Sequence, residues 1–274
     1  MTGSEIIPVA KAATKALSED SKTKQQLVEI AKDSPAIQAA AESHARQIAV
    51  RQALMLKVFS PFRKLVGLPK EYFETDFAHD MGAKLEPIPE EHLVTPKLVV
   101  AVPAMEALGY SLDEPTLKDM YLTLLATASD ERVREQAHPA FAEIIRQLTA
   151  EEAELIGVML RFSELPIVRI VENVDPNAFN ILRTHVLDLT DDILGPTECP
   201  MSSVYVDNWV RLGLAEVDYL TAVFGEHAYD WADLRPELDE LRRQAGEGAD
   251  RIDVQHGYFR RTAFGELFVN AVLP

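Results

Sequence analysis

The stretch Arg251–Leu273, RIDVQHGYFRRTAFGELFVNAVL, decides how the fold is read. It reads as two short strands joined at His256-Gly257 and then a closing helix. His-Gly suits a two-residue hairpin turn, because glycine takes positive φ without steric cost. Upstream, Ser202 is placed to cap the helix SVYVDNWVRLGL, which ends near Gly213, and a charged helix LRPELDELRRQAG follows. A helix ending in Leu-Gly-Leu, a hairpin and a closing helix together resemble a winged helix-turn-helix. The charged helix between the recognition helix and the hairpin departs from the compact version. Residues 164–200, with Pro166, Pro176, Gly195, Pro196 and Pro200, read as a loose middle.

Farther upstream the pattern is helical. Thr149-Ala150-Glu151-Glu152 and Ser111-Leu112-Asp113-Glu114 have capping-box spacing. Leu117, Met120, Tyr121, Leu124 and Leu125 recur at i, i+3, i+4, i+7 and i+8, which is a core-facing stripe. Phe141, Ile144, Ile145 and Leu148 form the expected buried face of a helix opened by His138-Pro139. Residues 69–98, with four prolines, read as a connector carrying a short helix around Tyr72–Met81. Residues 4–68 read as helix, interrupted near Ser34-Pro35 and kinked or ended at Pro61. The expected fold is mainly α: a helical arm over 1–70, a central helical domain over 71–148, and a winged-helix-like domain over 149–274.

The 274 residues are 47% hydrophobic and 26% charged, enough apolar content for a sizeable core. The formal charge of −17 argues against a whole-surface nucleic-acid binder. The single cysteine, Cys199, cannot form an intramolecular disulfide. No run reaches about 18 apolar residues, and the N-terminus lacks a signal-peptide pattern, so the expected location is cytoplasmic. The charge is split. Residues 1–70 hold eleven bases and six acids, a balance of +5, which leaves −22 for the rest. Within that arm Arg51, Lys57, Arg63 and Lys64 interleave with Leu54, Leu56, Phe59 and Phe62. Such a segment suits either an anionic membrane surface, giving a peripheral site at the inner membrane face, or a helix packed on protein with its basic stems snorkelling.

Catalytic signatures are sparse. There is no Walker A loop, G-x-S-x-G, G-x-G-x-x-G or H-E-x-x-H motif. His138 with Glu143 is a candidate pair, against the ordinary reading of a helix-start cap. His185, Asp188, Asp191 and Asp192 would share one face if helical and hold a divalent cation, against the reading of a solvated helix end. Neither is rich enough in ligands to count as a site, so no catalytic, cofactor or metal residues are assigned and a non-enzymatic role is expected. For a winged helix, Arg211, Arg260 and Arg261 are the available nucleic-acid contacts, with Asn208 as a base reader.

Several words over residues 85–274 resemble the abortive infection alpha family of bacterial proteins. They are Ala107-Leu108-Gly109-Tyr110, Met120-Tyr121-Leu122, His138-Pro139-Ala140-Phe141, Asp207-Asn208-Trp209-x-Arg211-Leu212-Gly213-Leu214 and Thr262-Ala263-Phe264-Gly265-Glu266-Leu267-Phe268. The resemblance implies phage defence and supplies no catalytic residues. The expected protein is a defence effector or sensor acting through its arm on a membrane or protein partner, a phage product or a second copy. The alternative is a nucleic-acid-binding regulator.

Overall fold

In the computed structural model the chain divides after Lys57, and the second unit runs from Val58 to Pro274. The structure describes residues 58, 59, 62, 70–191, 195–225 and 227–273. Arg51, Leu54, Lys57, Arg63 and Lys64 lie outside the described residues.

Helices come first. α1 (Lys70–Glu74) and α2 (Phe77–Leu85) are followed by α3 (Leu98–Leu108), α4 (Pro115–Ala128), α5 (Phe141–Arg146) and α6 (Ala150–Met159). α4 is the hub: its whole stripe, Leu117, Met120, Tyr121, Leu124 and Leu125, is buried, and it packs on α2, α3, α5 and α6. The Thr149 capping box forms as expected, with the hydroxyl accepting from the Glu152 amide at 3.1 Å. The Ser111 box does not. Pro115 starts α4, and the Ser111 hydroxyl instead donates back to the Ala107 carbonyl. Phe59, Phe62, Tyr72, Phe73 and Phe77 form a buried aromatic cluster.

The remainder is built around a sheet. β1 (Glu164–Asp175), β2 (Ala178–Leu187), the two-residue strands β3 (Thr190–Asp191) and β4 (Gly195–Pro196), and helix α7 (Ser202–Arg211) lead to β5 (Ala215–Asp218). Helix α8 (Pro236–Ala245), strand β6 (Ile252–Arg261) and helix α9 (Ala263–Val272) complete it. Four strands pair antiparallel in the order β2-β1-β6-β5 and curl into a half-barrel. The fold is therefore mixed α and β, and the expectation of a mainly α chain with a winged helix is overturned on two counts.

The first is the loose middle, which is a long hairpin turning at Pro176-Asn177, where the Asn177 amide donates to the Asp175 carboxylate at 2.8 Å. Bulges after Val168, Ile170 and Asn173 break the two-residue alternation that marks a strand. The second is His256-Gly257, which is no turn. It lies inside one continuous central strand, paired with Val168 and Ile167 on β1. Gly257 is there because a Cβ would stand 2.5 Å from both the Asp218 carbonyl oxygen and Tyr219 Cδ1. A strand-interior glycine thus marks close approach of a neighbouring segment.

Strand pleating sends Ile252, Val254 and His256 to one face, and Gln255, Gly257 and Phe259 to the other. On the first face Val168, Ile170, Val186 and Ile252 bury against Ala232 and Leu238, with Tyr229, Trp231 and Leu241 around them. On the second, Phe259 meets Trp209 of α7 edge to face. α9 closes the molecule on α4. Its Gly265 fits where a Cβ would stand 2.0 Å from the Leu214 carbonyl oxygen, and the Thr262 hydroxyl caps it from below.

Candidate functional site: the Arg169 face of the sheet

Arg169 stands at the centre of the second sheet face, opposite Gln255 across the β1–β6 pair. Its Nε donates to Gln255 Oε1 at 2.7 Å. The guanidinium carbon lies 4.6 Å from the Tyr219 ring centre and 5.1 Å from that of Phe179, so the cation has two aromatic rings against it. Each of those rings is put there by a sequence device. Phe179 comes from β2 immediately after the hairpin turn. Tyr219 lies flat across the strand at the bare Gly257 position.

Tyr219 also engages His185, the one non-glycine with positive φ among the described residues, at 53°. The His185 amide donates to Tyr219 Oη at 3.1 Å, and its Nδ1 is 2.9 Å from the same oxygen. Nε2 is 3.1 Å from Asp207 Oδ1 on α7. A carboxylate only accepts, so Nε2 carries the proton and Nδ1 accepts from the phenol. Burial lowers the His185 pKa, with Arg169 acting in the same direction and Asp207 opposing both. The imidazole is therefore neutral at neutral pH. Burial likewise pushes the Tyr219 phenol up to about 12, so it stays protonated. The Tyr219–His185–Asp207 hydrogen bonds thus fix the tautomer and orientation of the imidazole.

Large apolar side chains are exposed on the segments that supply Phe179 and Tyr219. Val174, Phe179, Ile181 and Leu182 are exposed on the hairpin, and β2 is an edge strand. The loop that continues from Tyr219 exposes Leu220 (94%) and Phe224 (103%). Large side chains left open together mark contact surfaces more often than single exposed leucines do.

The residues singled out in the sequence fall elsewhere. His138 Nδ1 accepts from the Ala140 amide at 3.1 Å in the turn before α5, and its ring packs on Phe141 and Phe264. Glu143 pairs with Arg146. His185 and Asp188 lie in and just after a strand, which removes the helical spacing that would align them, and Asp188 accepts from the Thr190 hydroxyl. Among the described residues no three His, Cys, Asp or Glu side chains group to hold a metal ion; Asp192 lies outside them. The three arginines offered to nucleic acid have intramolecular partners. Arg211 donates to Gln147 and Asn208, Arg260 pairs with Glu216, and Arg261 donates to the Leu160 carbonyl. Asn208 is occupied by buried Glu152, at 2.7 Å, and by the Gln147 carbonyl. Burial raises the Glu152 pKa against these bonds. Phe59 and Phe62 are buried against each other, with Phe59 edge-on to Phe77, so neither is presented to a membrane in this structure. Arg169, Phe179 and Tyr219 escaped notice because no sequence spacing links three separate strands and loops.

The described fold is mixed α/β, distinct from a winged-helix module, and one sheet face carries an arginine against two aromatic rings. The chain belongs to the abortive infection alpha family, which matches residues 69–272, and the family ties it to bacterial abortive-infection defence. A solved structure of an uncharacterized protein from the hydrocarbon-degrading marine bacterium Alcanivorax borkumensis SK2 is 12% identical, covering 50% of this chain and 94% of that one. Its TM-score of 0.32 carries no inference about fold or function. No curated protein matches the chain. Among the described residues no helix is long and apolar enough to cross a membrane.

Proposed function

We propose that this protein is a non-enzymatic component of abortive-infection defence that recognises a protein partner through the surface around Arg169. The observation that carries the reading is a half-buried cation with an exposed aromatic ring on it, Arg169 and Phe179, beside the exposed Ile181 and Leu182 of the same edge strand; the loop that continues from Tyr219 exposes Leu220 and Phe224 as well. Interfaces concentrate aromatic residues and arginine at their centres, and an exposed edge strand is a ready site for association.

The test is phage protection by cells expressing Leu220→Glu/Phe224→Glu. Both side chains are almost fully exposed, so folding should be unaffected. Loss of protection by a protein with wild-type melting behaviour is the expected result. Full protection would remove the surface from the mechanism.

The basic arm gives this reading a second contact. Its +5 balance against −22 for the rest suits docking on an acidic protein surface, a second copy of the chain, or anionic lipid. Co-sedimentation with anionic vesicles at low and high salt, with and without residues 1–70, separates these. Salt-sensitive binding that vanishes with the arm assigns it to lipid; none by either form leaves protein contact.

A further inference from the structure

We infer that Arg169 is a binding site for the oxyanion of a small phosphate- or carboxylate-bearing ligand with a flat ring beside the anion. This goes beyond the contact-surface reading and does not depend on the partner proposed there.

Arginines elsewhere in the described fold show what a structural role looks like. Arg235, almost completely buried, gives its donors to Glu237, the Leu189 carbonyl and the Thr197 carbonyl. Arg132 and Arg146 each make a forked contact with one carboxylate. Arg169 makes one hydrogen bond, from Nε to a neutral amide, and has no carboxylate within ion-pair distance among the described residues. Its two Nη groups have no protein acceptor among them either.

The side chain is nonetheless held in place. Gln255 fixes Nε, and the Tyr219 and Phe179 rings both lie against the guanidinium, so little rotamer freedom remains to be lost on binding. A planar fork with its outer edge free matches the two oxygens of a phosphate or carboxylate. Asp207 hydrogen-bonds His185 Nε2 and is not paired with Arg169. His185, being neutral, adds no competing charge. Phe179 is 41% exposed, which leaves ring surface beside the cation for a planar group of the ligand.

Four probes test this with the full chain by calorimetry: inorganic phosphate, phenyl phosphate, benzoate and phenol. Phenyl phosphate or benzoate should bind saturably, more tightly than phosphate, and phenol should not bind. Whichever of the two ring-bearing acids binds more tightly identifies the ligand's anion. Arg169→Met should weaken that binding by about tenfold or more. Phe179→Leu should reduce the advantage of phenyl phosphate over phosphate. Melting curves of both variants establish that they are folded. Absence of saturable binding by every anionic probe would overturn the inference. So would binding that Arg169→Met leaves unchanged, since the anion would then sit elsewhere, the basic arm being the obvious place.

Discussion

The two faces of the sheet carry the same kinds of residue and use them differently. On one face Val168, Ile170, Ile252 and Leu238 exclude water, and polar groups at the margin are tied into the fold: Tyr229 donates to the Gly257 carbonyl, and Arg235 joins the Leu189 and Thr197 carbonyls to α8. On the other, Trp209 and Phe259 fill only one end. Beyond them lie a cation with two aromatic rings against it, a strained histidine and the exposed Phe179 and Ile181. An arginine whose donors are all occupied is accounted for by folding. One held rigid with its fork open is not, and that difference separates scaffold from working surface.

The comparison can be broken most forcefully at Arg235. Arg235→Ala strands Glu237 as an unpaired buried charge and should lose about 3–5 kcal/mol in urea denaturation. A loss no larger than that of a surface variant would show that the buried pair is not structural. Next, Gly257→Ala should lose about 1–3 kcal/mol, because the new methyl group collides with the Asp218 carbonyl and displaces Tyr219 from the sheet. It should also loosen Arg169, giving weaker oxyanion binding than the stability change alone explains.

A smaller effect comes from pH. The folded pKa of His185 is below its ordinary 6.5, so the unfolded chain takes up the proton first. This contribution to stability is complete above about pH 6.5 and falls away as pH drops toward the folded value, by at most about 1.4 kcal/mol per pH unit. His185→Asn tolerates the positive φ and should flatten that slope; an unchanged slope would assign it to other groups. Smallest of all, Ile181→Lys on the exposed edge should stay within about 0.5 kcal/mol of wild type while weakening any association through β2.

Legibility in the sequence followed the same divide. The helical layer could be read because one periodic stripe and the Thr149 box state their geometry locally. The sheet could not, because the bulges in β1 and β2 disrupt alternation, and Gly257 serves a contact with Tyr219, thirty-eight residues earlier in the chain. The glycine at 257 permits a close approach and takes no positive φ, so the turn expected there does not form. Asn208, Trp209 and Gly265 stand in the words that resemble the family. In the structure they join α7 to α6, fill the sheet's second face and seat α9 against Leu214. They are fold residues. The Arg169 face brings together β1, β2, β6, α7 and the loop after β5, and no linear pattern announces it.

The most direct test is to measure stability and phage protection together for Arg169→Met and Arg235→Met in the full chain. The account predicts that Arg169→Met unfolds within about 1 kcal/mol of wild type yet fails to protect, while Arg235→Met loses far more stability. An Arg169→Met protein as destabilised as Arg235→Met, or one that protects fully, would contradict it.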